Sequence, residues 1–422
     1  MSGTSRLKTT TLDSGLRVVT DLIPSVETTA VGAWVEAGTR HETLELNGIS
    51  HLLEHMAFKG THRRTALQIA EDMDNVGGQL NAYTSRDHTA YYAHVLKEDL
   101  PLAVDILSDI LLNATMDEEE FRREQQVVVQ EIYQSEDTPD DIVFDWLQAT
   151  AYPEQALGWP VLGTVESVNR MTAHNLQQYM SSHYRTGNMV VSAAGRVDHD
   201  DFVQSIADAF ASLPKGDGPK SQLAHYVGGD VRAARPVEQL HLVLGFDGVG
   251  YHDPHYYPLS ALSVLFGEGL SSRLFQEVRE KRGLAYSVFS STNACEDSGV
   301  FTVYAGTSLD QTEELVTVLT EEIKKMMEGA TADEIKRAKA QLKASLLMGL
   351  ESIGSRCVQR ARQILVYGRT LDSAEIIEQV ESVSMASIQD AAHRVFSTSP
   401  TIAAVGQIDR LADYDSIKAR LT

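Results

Sequence analysis

Cysteine is nearly absent from this sequence, and long apolar runs and an excess of positive charge are missing. Only Cys295 and Cys357 occur among 422 residues, which excludes a disulfide-based fold and predicts free thiols. No apolar run reaches membrane-spanning length, so no transmembrane span is expected. The formal net charge of −23 argues against binding to nucleic acid. These shortages favour a globular protein that acts away from nucleic acid and membranes.

The first residues also lack the features of a targeting segment. Met1–Thr11 has neither the apolar core of a signal peptide nor the arginine-rich character of a transit peptide. We therefore expect a bacterial cytoplasmic protein, although a mature organelle protein would look the same. The hydrophobic fraction of 43% indicates a folded chain, and its length suits two domains of about 200 residues each.

The most informative stretch is Gly48–Met56, which reads GISHLLEHM. Ser50 is predicted to cap a short amphipathic helix on which His51 and His55 share one face. Glu54 projects toward the same face, and the order H-x-x-E-H is the inverzincin motif. Two imidazoles and a free carboxylate suit a catalytic Zn²⁺ site, with the carboxylate as base for a water molecule. The alternative is a surface helix with two chance histidines.

A second predicted helix, Asp117–Gln134, carries two acids that share one face. Glu124 and Glu131 are two helical turns apart, and two histidines with one glutamate form a known catalytic zinc set. The alternative is that both are solvated surface acids. The apolar run Val127–Ile132 favours a partner for Glu131, because a carboxylate in apolar surroundings needs one.

A repeat indicates a duplicated domain. Gly195 and Asp198 follow one predicted buried strand, and Gly406 and Asp409 follow another in the same way. The two copies are 211 residues apart, which is half the length of the chain. The other predicted elements are the strands Leu16–Thr20, Thr29–Val35, Gln79–Thr84 and Thr89–Val95, and the helices Leu67–Val76 and Leu100–Leu112. Because of the turn-like Pro/Gly stretch between the copies, the predicted bounds are 1–214 for a zinc domain, 215–235 for a linker and 236–422 for a metal-free domain.

Several stretches in this order resemble the pitrilysin/insulinase family of zinc metallopeptidases, in particular its short two-domain members similar to the catalytic subunit of the mitochondrial processing peptidase. They are His51–Thr61, Asn81–Tyr92, Glu124–Tyr152 and Leu265–Val288, the last containing GEGLSSRLFQEVREKRGLAYSV. The resemblance implies an α+β fold of two duplicated domains, each a mostly antiparallel sheet packed with helices. It also implies that two chains enclose a clam-like chamber.

The resemblance further implies the residues of the zinc-bearing half. The zinc ligands would be His51, His55 and Glu131, and Glu54 would be the general base. Glu124 would be the acid that orients a ligand histidine. Phe58 would line the pocket for the residue after the scissile bond, and Asn81 and Ala82 would belong to an edge strand that pairs with substrate. One Zn²⁺ per chain is expected.

The metal-free half would complete the site of a second chain. Arg279 and Tyr286 resemble the pair that binds the substrate backbone and the oxyanion, so the resemblance implies a homodimer in which they act in trans. Asp141 and Asp145 stand where processing-peptidase subunits bind a substrate arginine; the alternative for Asp141 is a solvated loop, because it lies in an acidic run. The implied activity is zinc-dependent hydrolysis of unfolded peptides, with a preference for a basic residue near the cleaved bond. The alternatives are a catalytic subunit that needs a distinct partner and a non-catalytic scaffold like the core proteins of respiratory complexes.

Overall fold

The computed structural model describes residues 6–421, which divide into two compact units, each built on one β-sheet. The first unit comprises residues 6–132, 160–222 and 348–371, and the second comprises residues 133–159, 223–347 and 372–421. The strands, in chain order, are β1 (Leu7–Thr11), β2 (Arg17–Leu22), β3 (Thr28–Val35), β4 (Gln79–Thr84), β5 (Thr89–Leu96), β6 (Met189–Gly195), β7 (Gly229–Ala234), β8 (Leu240–Asp247), β9 (Ser287–Ala294), β10 (Gly299–Thr307) and β11 (Thr401–Gly406).

The second sheet repeats the strand order of the first, which has one additional edge strand, β1. The first has the order β1-β2-β6-β3-β5-β4 and the second the order β7-β11-β8-β10-β9. In each, one pair is parallel (β2 with β6, β7 with β11) and the other pairs are antiparallel. The predicted α+β class with mostly antiparallel sheets is therefore confirmed.

Helices pack on these sheets in both units. In chain order they are α1 (Ile49–Ala57), α2 (Ala66–Asp74), α3 (Leu100–Leu112), α4 (Glu118–Glu136), α5 (Pro139–Ala151), α6 (Val165–Arg170), α7 (Ala173–His183), α8 (His199–Ala209), α9 (Tyr256–Gly267), α10 (Thr312–Glu328), α11 (Ala332–Gly349), α12 (Ile353–Tyr367), α13 (Ser373–Ser382), α14 (Met385–Phe396) and α15 (Tyr414–Leu421). The predicted strands and helices are present, with ends shifted by a few residues. Within residues 6–421, none of these helices combines the length and apolar character that crossing a bilayer requires.

Each sheet is covered by a helix from the other half of the sequence. α12 packs on β2, β3 and β6, whereas α5 packs on β7, β8 and β11. The compact units are discontinuous for this reason. The domain bounds 1–214 and 236–422 divide the chain by sequence and stay a prediction. The predicted linker, 215–235, is mostly loop but also includes β7, which pairs with β11. The sequence analysis did not predict this strand, because the residues before it are typical of turns.

The repeated glycines occupy equivalent places in the two sheets. Gly195 ends β6 with a φ of 122°, and Gly406 ends β11 with a φ of 120°. A side chain at either position would lie within 2.3 Å of a backbone oxygen, that of Thr28 or Gln239. Only glycine tolerates both the backbone conformation and the close approach. The sequence repeat therefore corresponds to a structural repeat. Within the described residues Cys295 and Cys357 form no disulfide, as predicted, and both thiols are buried.

Candidate metal centre

The motif helix α1 has one buried apolar side and one polar side. Ile49, Leu52, Leu53 and Met56 recur at helical spacing and are at most 1% exposed. They join the core of the first unit, and burial of each such side chain contributes roughly 1.5–3 kcal/mol. The motif's two histidines and its glutamate lie outside this apolar surface and are half-buried. The packing of α1 therefore fixes the direction in which the motif faces.

The structure brings the three predicted ligands together. His51 Nε2 lies 3.7 Å from Glu131 Oε2, and His55 Nε2 lies 3.6 Å from the same oxygen. One donor atom from each residue lies within 4.8 Å of the other two. Two imidazole nitrogens and a carboxylate oxygen are a donor set that Zn²⁺ accepts.

The environment of these atoms also fits a metal ion. Within residues 6–421, Glu131 Oε2 is buried and accepts no hydrogen bond. A buried acceptor without a partner is costly, and a cation between the three side chains would supply one. Burial lowers the pKa of His51 to about 3, which keeps its imidazole neutral near neutral pH. Metal ligation requires the neutral imidazole, so the residues present fit Zn²⁺.

Glu124 contacts one of the predicted ligands, His55. It is only 6% exposed, and its Oε2 lies 3.0 Å from His55 Nδ1. With Nδ1 engaged, Nε2 is the nitrogen that a metal ion could bind. Lys59 Nζ lies 2.7 Å from Glu124 Oε1 and compensates its charge. Sequence reasoning missed Lys59, although its position one helical turn after His55 was a usable signal.

The prediction that Ser50 caps α1 is wrong, because Glu42 provides the cap. Gly48 is the N-cap, and Ser50 lies inside the helix. The buried carboxylate of Glu42 accepts hydrogen bonds from the backbone N–H groups of Gly48 (2.8 Å) and Ser50 (2.9 Å) and from the side-chain amide of Asn47 (2.9 Å). Burial raises the pKa of Glu42 to about 7, against the opposing effect of these donors. A carboxylate at a helix N-terminus also interacts favourably with the helix dipole.

Glu42→Gln is expected to destabilise the protein by roughly 1–3 kcal/mol, because an amide nitrogen must replace one of two oxygens that each accept an N–H group. Urea unfolding in the presence of a chelator measures this change without a contribution from bound metal. Glu45→Gln is the matched control, since Glu45 is exposed on the turn before α1. Equal stability of the two variants would contradict the capping role.

Glu54 lies near enough to His55 and Glu131 for their charges to affect its pKa, and a hydrogen bond connects it to β4. The Thr84 hydroxyl donates to Glu54 Oε2 at 2.6 Å. Burial raises the pKa of Glu54, and the hydrogen bond from Thr84 opposes this rise. The group is therefore a carboxyl in a partly desolvated setting next to a candidate metal, which suits proton transfer. Sequence reasoning did not single out Thr84, because a strand pattern gives its face but not its partner.

The other predicted substrate residues of the first unit lie at the end of α1 and on β4. Phe58 follows α1 as its C-cap, and its ring lies 6.2 Å from that of Tyr91. Asn81 and Ala82 lie on β4, the last strand of the first sheet. Asn81 is exposed, and its Oδ1 accepts the Ala82 N–H at 2.8 Å. An edge strand of this kind can pair with an extended peptide, but the roles of these residues stay predictions.

In the second unit, the structure brings Arg279 and Tyr286 together. The Arg279 guanidinium lies 4.4 Å from the centre of the Tyr286 ring and 4.8 Å from that of Phe275. Residues Phe275–Glu280 form a π-helical turn, a rare conformation that is frequent at functional sites. Tyr286 is 77% exposed. Stacking therefore holds the arginine beside an accessible phenol, and the contribution of Phe275 was not predicted.

The two predicted arginine-binding acids lie on α5, also in the second unit. Asp141 is exposed in the first turn and accepts a hydrogen bond from the Ser135 hydroxyl at 3.0 Å. Asp145 follows one turn later and is half-buried. Their spacing puts both on one face of the helix, as a shared cation would need. Their role stays a prediction.

Comparisons with known sequences match this chain to one peptidase family. A family model described as insulinase (peptidase family M16) matches residues 17–165, and a model of the peptidase M16 inactive domain matches residues 170–342. A protein of Rickettsia felis named an uncharacterized zinc protease is 41% identical over 94% of this chain and 97% of its own length. A Bacillus subtilis protein of the same description is 38% identical over 94% of this chain and 98% of its own.

Solved structures share the fold. A protease from Helicobacter pylori matches with a TM-score of 0.87 and 25% identity, covering 95% of this chain and 99% of its own. A chain of complex III2 from Candida albicans matches with a TM-score of 0.86 at 22% identity, covering 98% of this chain and 99% of its own, which shows the fold alone. With family models over both halves and relatives at about 40% identity over nearly its full length, this chain belongs to the insulinase family, peptidase family M16.

Proposed function

We propose that the chain is a zinc-dependent endopeptidase that hydrolyses unfolded peptides. The observation that carries this proposal is the convergence of His51, His55 and Glu131 within 4.8 Å beside the carboxyl of Glu54. The names of its relatives, zinc proteases from several bacteria, support it. Their bacterial origin also agrees with the expected bacterial cytoplasmic location.

In this proposal each residue of the first unit has a separate task. His51, His55 and Glu131 would hold Zn²⁺, which acts as a Lewis acid and favours deprotonation of water near neutral pH. Glu54 takes the proton of the attacking water and returns it to the leaving amine. Glu124 keeps the imidazole of His55 in the orientation and tautomer that ligation needs.

The second unit would contribute substrate contacts. The Tyr286 hydroxyl would donate to the oxyanion and Arg279 to the peptide backbone, both in the active site of a partner chain. This places two copies around a clam-like chamber, which admits unfolded peptides and excludes folded proteins. Asp141 and Asp145 would favour a basic residue near the cleaved bond, in agreement with the net charge of −23.

Substrate would lie along the edge of the first sheet. In this pose, the peptide pairs with β4 at Asn81 and Ala82, and Phe58 lines the pocket for the residue after the cleaved bond. The side chain of Asn81 must then leave the Ala82 N–H, which it engages in the free chain. Backbone pairing of this kind accepts many sequences, which suits a peptidase of unfolded chains.

A scaffold function is the weaker alternative, because the three candidate ligands converge and Glu54 lies close enough to His55 and Glu131 to interact with their charges. A catalytic subunit that depends on a different partner is the stronger one. The two proposals predict different activities for the purified chain: a homodimer would cleave peptides, whereas a subunit that needs a different partner would be inert alone.

Removal of the metal is expected to abolish cleavage of a quenched arginine-containing peptide, and added Zn²⁺ is expected to restore it. Metal analysis should find about one Zn²⁺ per chain, as for a site of three protein ligands. His51→Ala should lose both metal and activity, whereas His174→Ala should retain both, since His174 is exposed on α7. Zinc binding without cleavage would favour the heteromer, and absence of zinc would refute the proposed site.

A further inference from the structure

The hydroxyl of Thr84 contacts the carboxyl that the proposed reaction uses as its base. The distance of 2.6 Å from Thr84 Oγ1 to Glu54 Oε2 is typical of a hydrogen bond to a charged carboxylate. The other hydroxyl near Thr84, that of Thr89, is 3.4 Å away and is the weaker contact. The principal partner of Thr84 is therefore Glu54.

The register of β4 directs this hydroxyl inward. Side chains alternate along a strand, so Leu80, Ala82 and Thr84 share one face. Leu80 and Ala82 pack against the core of the first unit, and α1 lies over β4. The face of Thr84 is thus set by apolar packing of its neighbours, which makes its position reproducible.

We propose that Thr84 is a positioning residue that holds Glu54 ready for proton transfer. A carboxylate with one oxygen engaged by Thr84 has a fixed rotamer and keeps Oε1 for the water and the leaving amine. Misplacement of a reacting group by about 1 Å can reduce a rate by roughly 100-fold. Thr84 is the last residue of β4, the strand with which substrate would pair. A peptide bound along β4 would therefore also affect the position of Glu54 through this hydrogen bond. The inference rests on the proposed peptidase function.

The test compares two substitutions that differ in the hydroxyl. Thr84→Val keeps the shape of the side chain and removes the donor, whereas Thr84→Ser keeps the donor. We expect Thr84→Val to lower kcat by about 10- to 100-fold with KM changed by less than about twofold, since the bond affects the reacting state rather than substrate binding. Thr84→Ser should stay within about threefold of wild type in kcat, and zinc content should be equal in all three proteins.

A merely structural bond between strand and helix would give another pattern. Equal losses in both variants, lost zinc, or a raised KM with unchanged kcat would overturn the inference. If purified wild type binds zinc but cleaves no peptide, the self-sufficient homodimer fails, and a crystal structure of zinc-loaded Thr84→Val still decides the role of Thr84. A displaced or disordered Glu54 carboxylate would support positioning, and an unchanged carboxylate would overturn it.

Discussion

Glu54→Gln is expected to abolish nearly all peptide cleavage while zinc remains bound. The amide has the shape of the carboxyl group, and its oxygen can still accept the hydrogen bond from Thr84. It cannot take a proton from water at neutral pH, and loss of general acid–base catalysis typically costs about 10²–10⁴-fold. Zinc should remain because the ligand group consists of His51, His55 and Glu131. The measurement is kcat/KM on a quenched peptide together with metal content.

A matched control separates this effect from a general change in charge. Glu71→Gln alters an exposed glutamate on the neighbouring helix α2 and should retain wild-type activity. If Glu54→Gln retained more than about a tenth of the wild-type rate, general-base catalysis by Glu54 would be refuted. If it lost zinc together with activity, Glu54 would instead be part of the binding site.

The sequence predicted the three candidate ligands partly from local signals and partly from the family resemblance. The two histidines lie one turn apart on α1, and Glu131 stands in an apolar stretch of α4 that required a partner. The apolar spacing that defines both helices also determines which face is buried. The structure adds what the sequence left open, namely that Glu131 lies beside the two histidines.

Contacts between distant segments were not predictable in this way. The cap of α1 comes from Glu42, whose long side chain returns to the helix from the preceding loop, whereas capping rules favour a short polar residue next to the helix. The partner of Thr84 depends on how α1 crosses β4. α5 and α12 each pack on the sheet formed by the other half of the sequence. The apolar periodicity of a helix indicates which of its faces is buried, but not which sheet it packs on.

Mixed dimers are expected to show whether Tyr286 serves the zinc site of its own chain or of its partner. Tyr286→Phe removes the hydroxyl and keeps the ring that stacks on Arg279. Co-expression of Tyr286→Phe and Glu54→Gln chains with different affinity tags allows the mixed dimer to be isolated. If Tyr286 acts in trans, one active site has both intact groups, and roughly half of the wild-type activity returns although each parent is nearly inactive.

The reciprocal dimer makes the result independent of the absolute rates. In a dimer of wild type with the double variant Glu54→Gln/Tyr286→Phe, the trans arrangement leaves no intact site, because each zinc site lacks either its base or its phenol. The cis arrangement predicts the reverse: roughly half activity for this dimer and almost none for the first. A chain that remains monomeric yet cleaves peptide would contradict the trans proposal directly. The exposed phenol of Tyr286 would then have to act within its own chain.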